Sequence, residues 1–191
     1  MKKLIGVHGK KGSGKDTVAM LIAQYVHREL SSREVVVKHY ADALKCGLAA
    51  MFTVPIQNFY EESLKEQVIP GLGASPRELM TRMHDLLVPL YGDQIWVNPI
   101  RDDYCSRWLG NSREGLYVVA DVRYDGRETD WIRKEGGHII HVVRASTDVN
   151  AGKHSSEMGV EVHQEDWVIH NDETLLHLRM EVWGIMSKIM G

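Results

Sequence analysis

Gly9-Lys10-Lys11-Gly12-Ser13-Gly14-Lys15-Asp16-Thr17 lies between the short apolar segment Leu4-Ile5-Gly6-Val7 and the apolar run Val18-Ala19-Met20-Leu21-Ile22. A strand, a glycine-rich bend, a lysine and a helix in that order form the arrangement that cradles nucleotide phosphates. The glycines let the backbone curl so that successive N–H groups converge on an anion. The helix adds the positive end of its dipole, and Lys15 adds a full charge at the outer phosphates. Gly9, Gly14 and Lys15 occupy the required places of G-x-x-x-x-G-K, with Lys11, Gly12 and Ser13 completing the cradle. The next place departs from the pattern, with Asp16 standing where a hydroxyl residue would bind magnesium. A carboxylate is a hard oxygen ligand, so Asp16 is expected to face Mg2+ and Thr17 to give its hydroxyl to the phosphates.

Working outward, Lys3 to His8 reads as a strand and Lys15 to Leu30 as a helix with Val18, Leu21, Ile22, Tyr25, Val26 and Leu30 at helical spacing. Val35-Val36-Val37 opens a second strand ending near Tyr40, whose continuous apolar character predicts burial on both faces. Ala41 to Phe52 and Arg77 to Leu87 read as helices, the latter with Pro76 in its first turn, and a further helix runs from Asp93 to Leu109 with a bend at Pro99. Leu116 to Asp121 is a third strand, Gly126 to Lys134 a helix, and His138 to Val143 a fourth strand. Ala145 to Gln164 is polar and is expected to form a flap. Trp167-Val168-Ile169 is a short fifth strand, and Glu173 to Met190 a closing amphipathic helix. Strands separated by helices predict an α/β fold with a parallel sheet. No linker divides the chain, so 1–191 is read as one domain.

Composition narrows the function classes. The 191 residues suffice for one well-buried core. A net charge of −3 argues against broad nucleic-acid binding, and no run of ~18 apolar residues offers a membrane span. Lys2 and Lys3 precede no apolar stretch of signal-peptide type. Cys46 and Cys105 lie too far apart in sequence for a Cys-x-x-Cys site and are expected to be reduced thiols in a cytoplasm. The ten histidines include His154, His163, His170 and His177, spaced too widely for a recognisable zinc site.

Ligands of open α/β sheets bind beyond the carboxyl ends of the strands. Asp121 ends the third strand and is expected to hold or orient magnesium. Arg123 follows it, Arg127 opens the next helix and Arg144 ends the fourth strand, so all three can neutralise charge on a moving phosphoryl group. Asp42 and Lys45 follow the second strand, although Asp42 also suits a helix N-cap. Arg77 is placed to grip a second phosphorylated substrate with its planar fork; an ion pair with Glu78 or Asp85 is the structural alternative.

These residues together resemble the bacteriophage deoxynucleoside monophosphate kinases, a family of P-loop kinases. The resemblance rests on Gly12-Ser13-Gly14-Lys15-Asp16-Thr17, Tyr40-Ala41-Asp42-Ala43-Leu44-Lys45, Ser75-Pro76-Arg77-Glu78 and Asp93-Gln94-Ile95-Trp96-Val97. It continues through Asp121-Val122-Arg123-Tyr124, Glu128 to Arg133, His154-Ser155-Ser156-Glu157 and Asn171-Asp172. It implies a three-layer fold with a five-stranded parallel sheet, a helical acceptor-binding insertion at about 41–110 and a lid at about 145–164. It further implies ATP and Mg2+ as cofactors and a small-molecule deoxynucleoside monophosphate as partner, with no nucleic acid or membrane and a homodimer left open. A phage protein of this kind would work in the host cytoplasm. By the same resemblance Trp96, Lys153 and His154 join the acceptor-binding set, and Asn171 touches the adenine. Arg82 and His84 stand where smaller or uncharged residues are expected. Animal phosphomevalonate kinases look similar in several of these places, so a kinase of a non-nucleotide phosphate is the first rival reading. A non-kinase P-loop ATPase or binding module is the second.

Overall fold

The computed structural model describes residues 2–30, 33–108, 115–150 and 160–191. Five parallel strands, β1 (Lys2–His8), β2 (Glu34–Lys38), β3 (Gly115–Val122), β4 (His138–Val143) and β5 (Trp167–His170), form one sheet in the order β2-β3-β1-β4-β5. The first strand is therefore central, and the loop leaving it emerges where strand order reverses, the place open parallel sheets reserve for ligands.

Strand periodicity splits the sheet into two faces. Ile5, Val7, Leu116, Val118, Ala120, Ile140, Val142 and Ile169 share a core with α1 (Lys15–Glu29) and α7 (Leu175–Met190). Val18, Leu21, Ile22 and Val26 of α1 are essentially buried there, each worth about 2 kcal/mol of removed apolar surface. On the opposite face Tyr117 meets Tyr104 edge-on at 5.5 Å, and Tyr104 meets Trp131 of α6 (Glu128–Lys134) at 5.8 Å. Helices on both faces of a parallel sheet make the three layers expected.

The chain falls into two compact units, residues 1–39 with 103–191, and residues 40–102. The second holds α2 (Asp42–Phe52), α3 (Glu62–Lys65) and α4 (Pro76–Tyr91), around a small core of Leu48, Val54 and Phe59. A Ser75/Glu78 capping box and Pro76 start α4, a Ser-x-x-Glu signature readable in the sequence. Near its other end α4 carries Pro89 within the helix.

Two local expectations are corrected. β2 is an edge strand, and Val37 is substantially exposed, because a valine run reports β propensity and not the number of neighbouring strands. The helix expected from Asp93 is interrupted before Pro99: a single 3-10 turn at Asp93–Ile95 gives way at Trp96 to α5 (Val97–Trp108), so Pro99 lies in a first helical turn, where its missing N–H costs nothing. The expected flap begins as a 3-10 helix at Ala145–Asn150; its residues 151–159 lie outside the described residues.

Candidate functional site

The bend after β1 is a built cradle. Gly12 and Gly14 have φ of 80° and 99°, a left-handed backbone that other residues resist. Gly14 is the N-cap of α1, and it forms no side-chain cap there among the described residues. At Gly9 a Cβ would come within 2.8 Å of the Val142 carbonyl oxygen and 2.3 Å of Ser13 Oγ, so only glycine fits. The Ser13 hydroxyl is itself buried without a hydrogen-bond partner among the described residues. An uncapped helix start, curled glycines and an orphaned hydroxyl fit a phosphate tail. Lys15 and Thr17 are half-buried in the first turn, and Lys11 is exposed at the tip.

Asn171, just beyond β5, is bound to this bend. Its Nδ2 donates to the Ser13 carbonyl at 2.8 Å, and its backbone N–H donates to the Val143 carbonyl at 2.8 Å. Asp172 accepts from the Ala145 N–H at 2.8 Å, which ties down the turn carrying Arg144. The Asn171 side chain thus braces the phosphate loop, a role the sequence reading did not assign it.

Asp16 is largely exposed, with its Oδ1 3.3 Å from His39 Nε2. Asp121 is buried near the end of β3. Beside it lies Glu128, which sequence reasoning missed as a site residue. Burial pushes its carboxyl up to about 8, and the charge of Asp121 adds to the shift. Glu128 Oε2 accepts from the backbone N–H groups of Arg123 and Tyr124 at 2.5 and 3.1 Å. Arg127 lays its guanidinium 4.2 Å over the Tyr124 ring, and Arg144 is exposed.

Behind the bend, His8 joins three segments. The Val160 N–H donates to its Nε2 at 3.3 Å, so Nδ1 carries the proton and donates to the Val122 carbonyl at 2.9 Å. Burial, aided by neighbouring positive groups, lowers its pKa to about 4. His141 sits edge-on to His8 at 5.3 Å and bonds Asp166, which also pairs with Arg133 at 2.8 Å. The His163 ring nitrogen and carboxylate oxygens of Asp125 and Glu161 lie within 4.8 Å of one another, all exposed. Arg133 lies 3.4 Å from that Asp125.

In the second unit, Asp42, Lys45 and Tyr60 form a cluster. Tyr60 donates its hydroxyl to Asp42 Oδ1 at 2.6 Å, and Lys45 Nζ lies 4.1 Å from the Tyr60 ring centroid and 3.9 Å from Asp42. Ala41, not Asp42, is the N-cap of α2, so the capping alternative does not hold. Arg77 pairs with Glu62 at 3.1 Å and with Glu66, in place of the Glu78 or Asp85 considered from sequence. Glu78 is committed to the capping box. Trp96 stacks on His84 at 6.0 Å with ring planes 17° apart. Lys153 and His154 lie outside the described residues.

A family model described as deoxynucleotide monophosphate kinase matches residues 74–182. The chain is 36% identical over 105 residues to the deoxynucleotide monophosphate kinase of Enterobacteria phage T4, covering 54% of this chain and 42% of that protein. It is 33% identical over 113 residues to that of Escherichia phage RB69, covering 59% and 45%. The chain therefore matches under half the length of these relatives. Among solved structures, a dephospho-CoA kinase from Campylobacter jejuni superposes with a TM-score of 0.50 at 11% identity, covering 99% of this chain and 98% of that one. That likeness speaks to the fold.

Proposed function

The chain belongs to the deoxynucleotide monophosphate kinase family, and from that premise we propose that it transfers the γ-phosphoryl group of ATP to a deoxynucleoside 5′-monophosphate, giving the diphosphate. The observation that carries the reading is the uncapped glycine bend at the end of the central strand, braced by Asn171 and opening α1 at Lys15. Its amides and Lys15 would hold the donor phosphates, with Thr17 assisting and Asn171 keeping the bend in shape while reaching the adenine. Asp16 and Asp121 would hold Mg2+, which supplies charge neutralisation at the donor phosphates.

Arg123, Arg127 and Arg144 follow strand ends and would neutralise the charge spread over the phosphoryl oxygens during in-line transfer. On the acceptor side, Asp42, Lys45 and Arg77 would orient the monophosphate, with Trp96 among the residues lining its place. Arg77 would exchange its carboxylate partners for the dianion, which its fork matches equally well. The acceptor oxygen is already ionised at neutral pH, so no general base is required. Excluding water matters more, since an open site would hydrolyse ATP.

The test is a steady-state assay with ATP and a panel of acceptors: dTMP, dGMP, dCMP, dAMP, their ribose counterparts and phosphomevalonate. The reading expects diphosphate product from at least one deoxynucleotide, at a kcat/KM above that for phosphomevalonate. ATP hydrolysis without any phosphorylated acceptor would favour an ATPase module and overturn it.

A further inference from the structure

The turn from Arg123 to Thr129 is closed by three separate interactions. The Glu128 N–H donates back to the Tyr124 carbonyl at 3.2 Å, and the Thr129 hydroxyl donates to Asp125 Oδ1 at 2.7 Å. Between them, one oxygen of Glu128 accepts the N–H groups of both Arg123 and Tyr124. This is not helix capping. A capping-box glutamate reaches back to the amide of its helix's N-cap, whereas Glu128, the first residue of α6, reaches past the N-cap Arg127 to the amides of Arg123 and Tyr124. The residue is 5% exposed, so a carboxyl group is buried to hold two amides that a solvent-facing turn could leave to water.

Of the two residues held, Arg123 carries charge and Tyr124 supports a neighbour that does. Arg123 is anchored through its own N–H, and Tyr124 presents the ring on which Arg127 lies. The turn starts two residues after Asp121.

We propose that Glu128 is a positioning residue for phosphoryl transfer: its carboxyl oxygen fixes the turn that aims Arg123 and, through Tyr124, Arg127. The inference rests on the kinase reading above. An acceptor oxygen at the right reach is what the geometry requires, and a carboxylate charge is not. A neutral carbonyl oxygen accepts the two N–H groups as a carboxylate oxygen does. Glutamine keeps that oxygen in the same place, alanine removes it, and aspartate withdraws it by one methylene.

The experiment compares wild type with Glu128→Gln, Glu128→Asp and Glu128→Ala, each first checked for cooperative thermal unfolding. Steady-state kinetics then separate kcat from the KM values of ATP and of the acceptor. The expectation is a kcat reduced at least about tenfold in the aspartate and alanine variants, because misaimed arginines cost turnover before binding. KM for ATP stays within about threefold, and Glu128→Gln keeps most of the wild-type kcat. In NMR hydrogen exchange, the Arg123 and Tyr124 amides lose protection in the alanine variant and keep it in the glutamine variant. Wild-type turnover in a folded Glu128→Ala or Glu128→Asp enzyme would overturn the proposal, and so would Glu128→Gln failing as badly as alanine. If alanine does not fold, the aspartate and glutamine variants decide the matter. A wild type that phosphorylates no acceptor at all removes the kinase reading and this proposal together, which is a different result from an active wild type with indifferent variants.

Discussion

Lys15 begins α1 at the point where the glycine bend ends, so its ammonium adds to the positive end of the helix dipole. Lys15→Ala leaves the buried core of α1 untouched, because Val18, Leu21, Ile22 and Val26 carry the packing. The expected outcome is a loss of phosphoryl transfer by at least about two orders of magnitude, as when one preorganised electrostatic group is removed. Circular dichroism and thermal unfolding should stay near wild type. Turnover close to normal would remove Lys15 from the mechanism. The bend itself was legible because every signal coincides there, from the short apolar strand through Gly9, Gly12 and Gly14 to the helical run. Asn171 was legible only as a member of a motif. Its grip on the Ser13 carbonyl joins residues 158 positions apart, and no local pattern announces a contact of that range.

At the scale of elements, the strands and the longer helices could be read, and the four-residue helix α3 could not. α1 and α7 show apolar spacing over four turns, and β3 is buried along its whole length. α3 spans only four residues, too few for a period, yet it supplies Glu62, which together with Glu66 engages Arg77. That is why the alternative partners considered for Arg77 were the acids of its own helix. Arg77→Ala frees the two carboxylates on an exposed surface, where ion pairs contribute little stability. The variant should therefore melt close to wild type, with acceptor KM raised about tenfold or more and ATP affinity preserved. A titration in which only ATP binding suffers would contradict the acceptor role.

For the whole molecule, stability should carry the signature of His8. Its pKa falls from 6.5 in the unfolded chain to about 4 in the fold, chiefly through burial. Above pH 6.5 the imidazole is neutral in both states and costs nothing. Between 6.5 and 4 only the unfolded chain takes up the proton, so folding weakens as pH drops, by roughly 3 kcal/mol in all. Urea unfolding at intervals from pH 7 to pH 4 should show this loss in wild type and a shallower one in His8→Asn, which keeps a donor for the Val122 carbonyl. Parallel slopes would show that the histidine is not held neutral.

The edge position of β2 has one more consequence. Its two ends, Glu34 and Lys38, are engaged from α5 by Arg107 at 3.4 Å and Asp103 at 3.9 Å, and Asp103 also accepts from the Tyr117 hydroxyl at 2.8 Å. Glu34 and Lys38 share one face of the strand with Val36, the register partner of Tyr117, so these pairs pin the edge strand to α5 across that face, and peeling β2 away would break them. The margin of the sheet is thereby fastened by side chains borrowed from a neighbouring helix, with neither a proline nor a bulge in the strand itself.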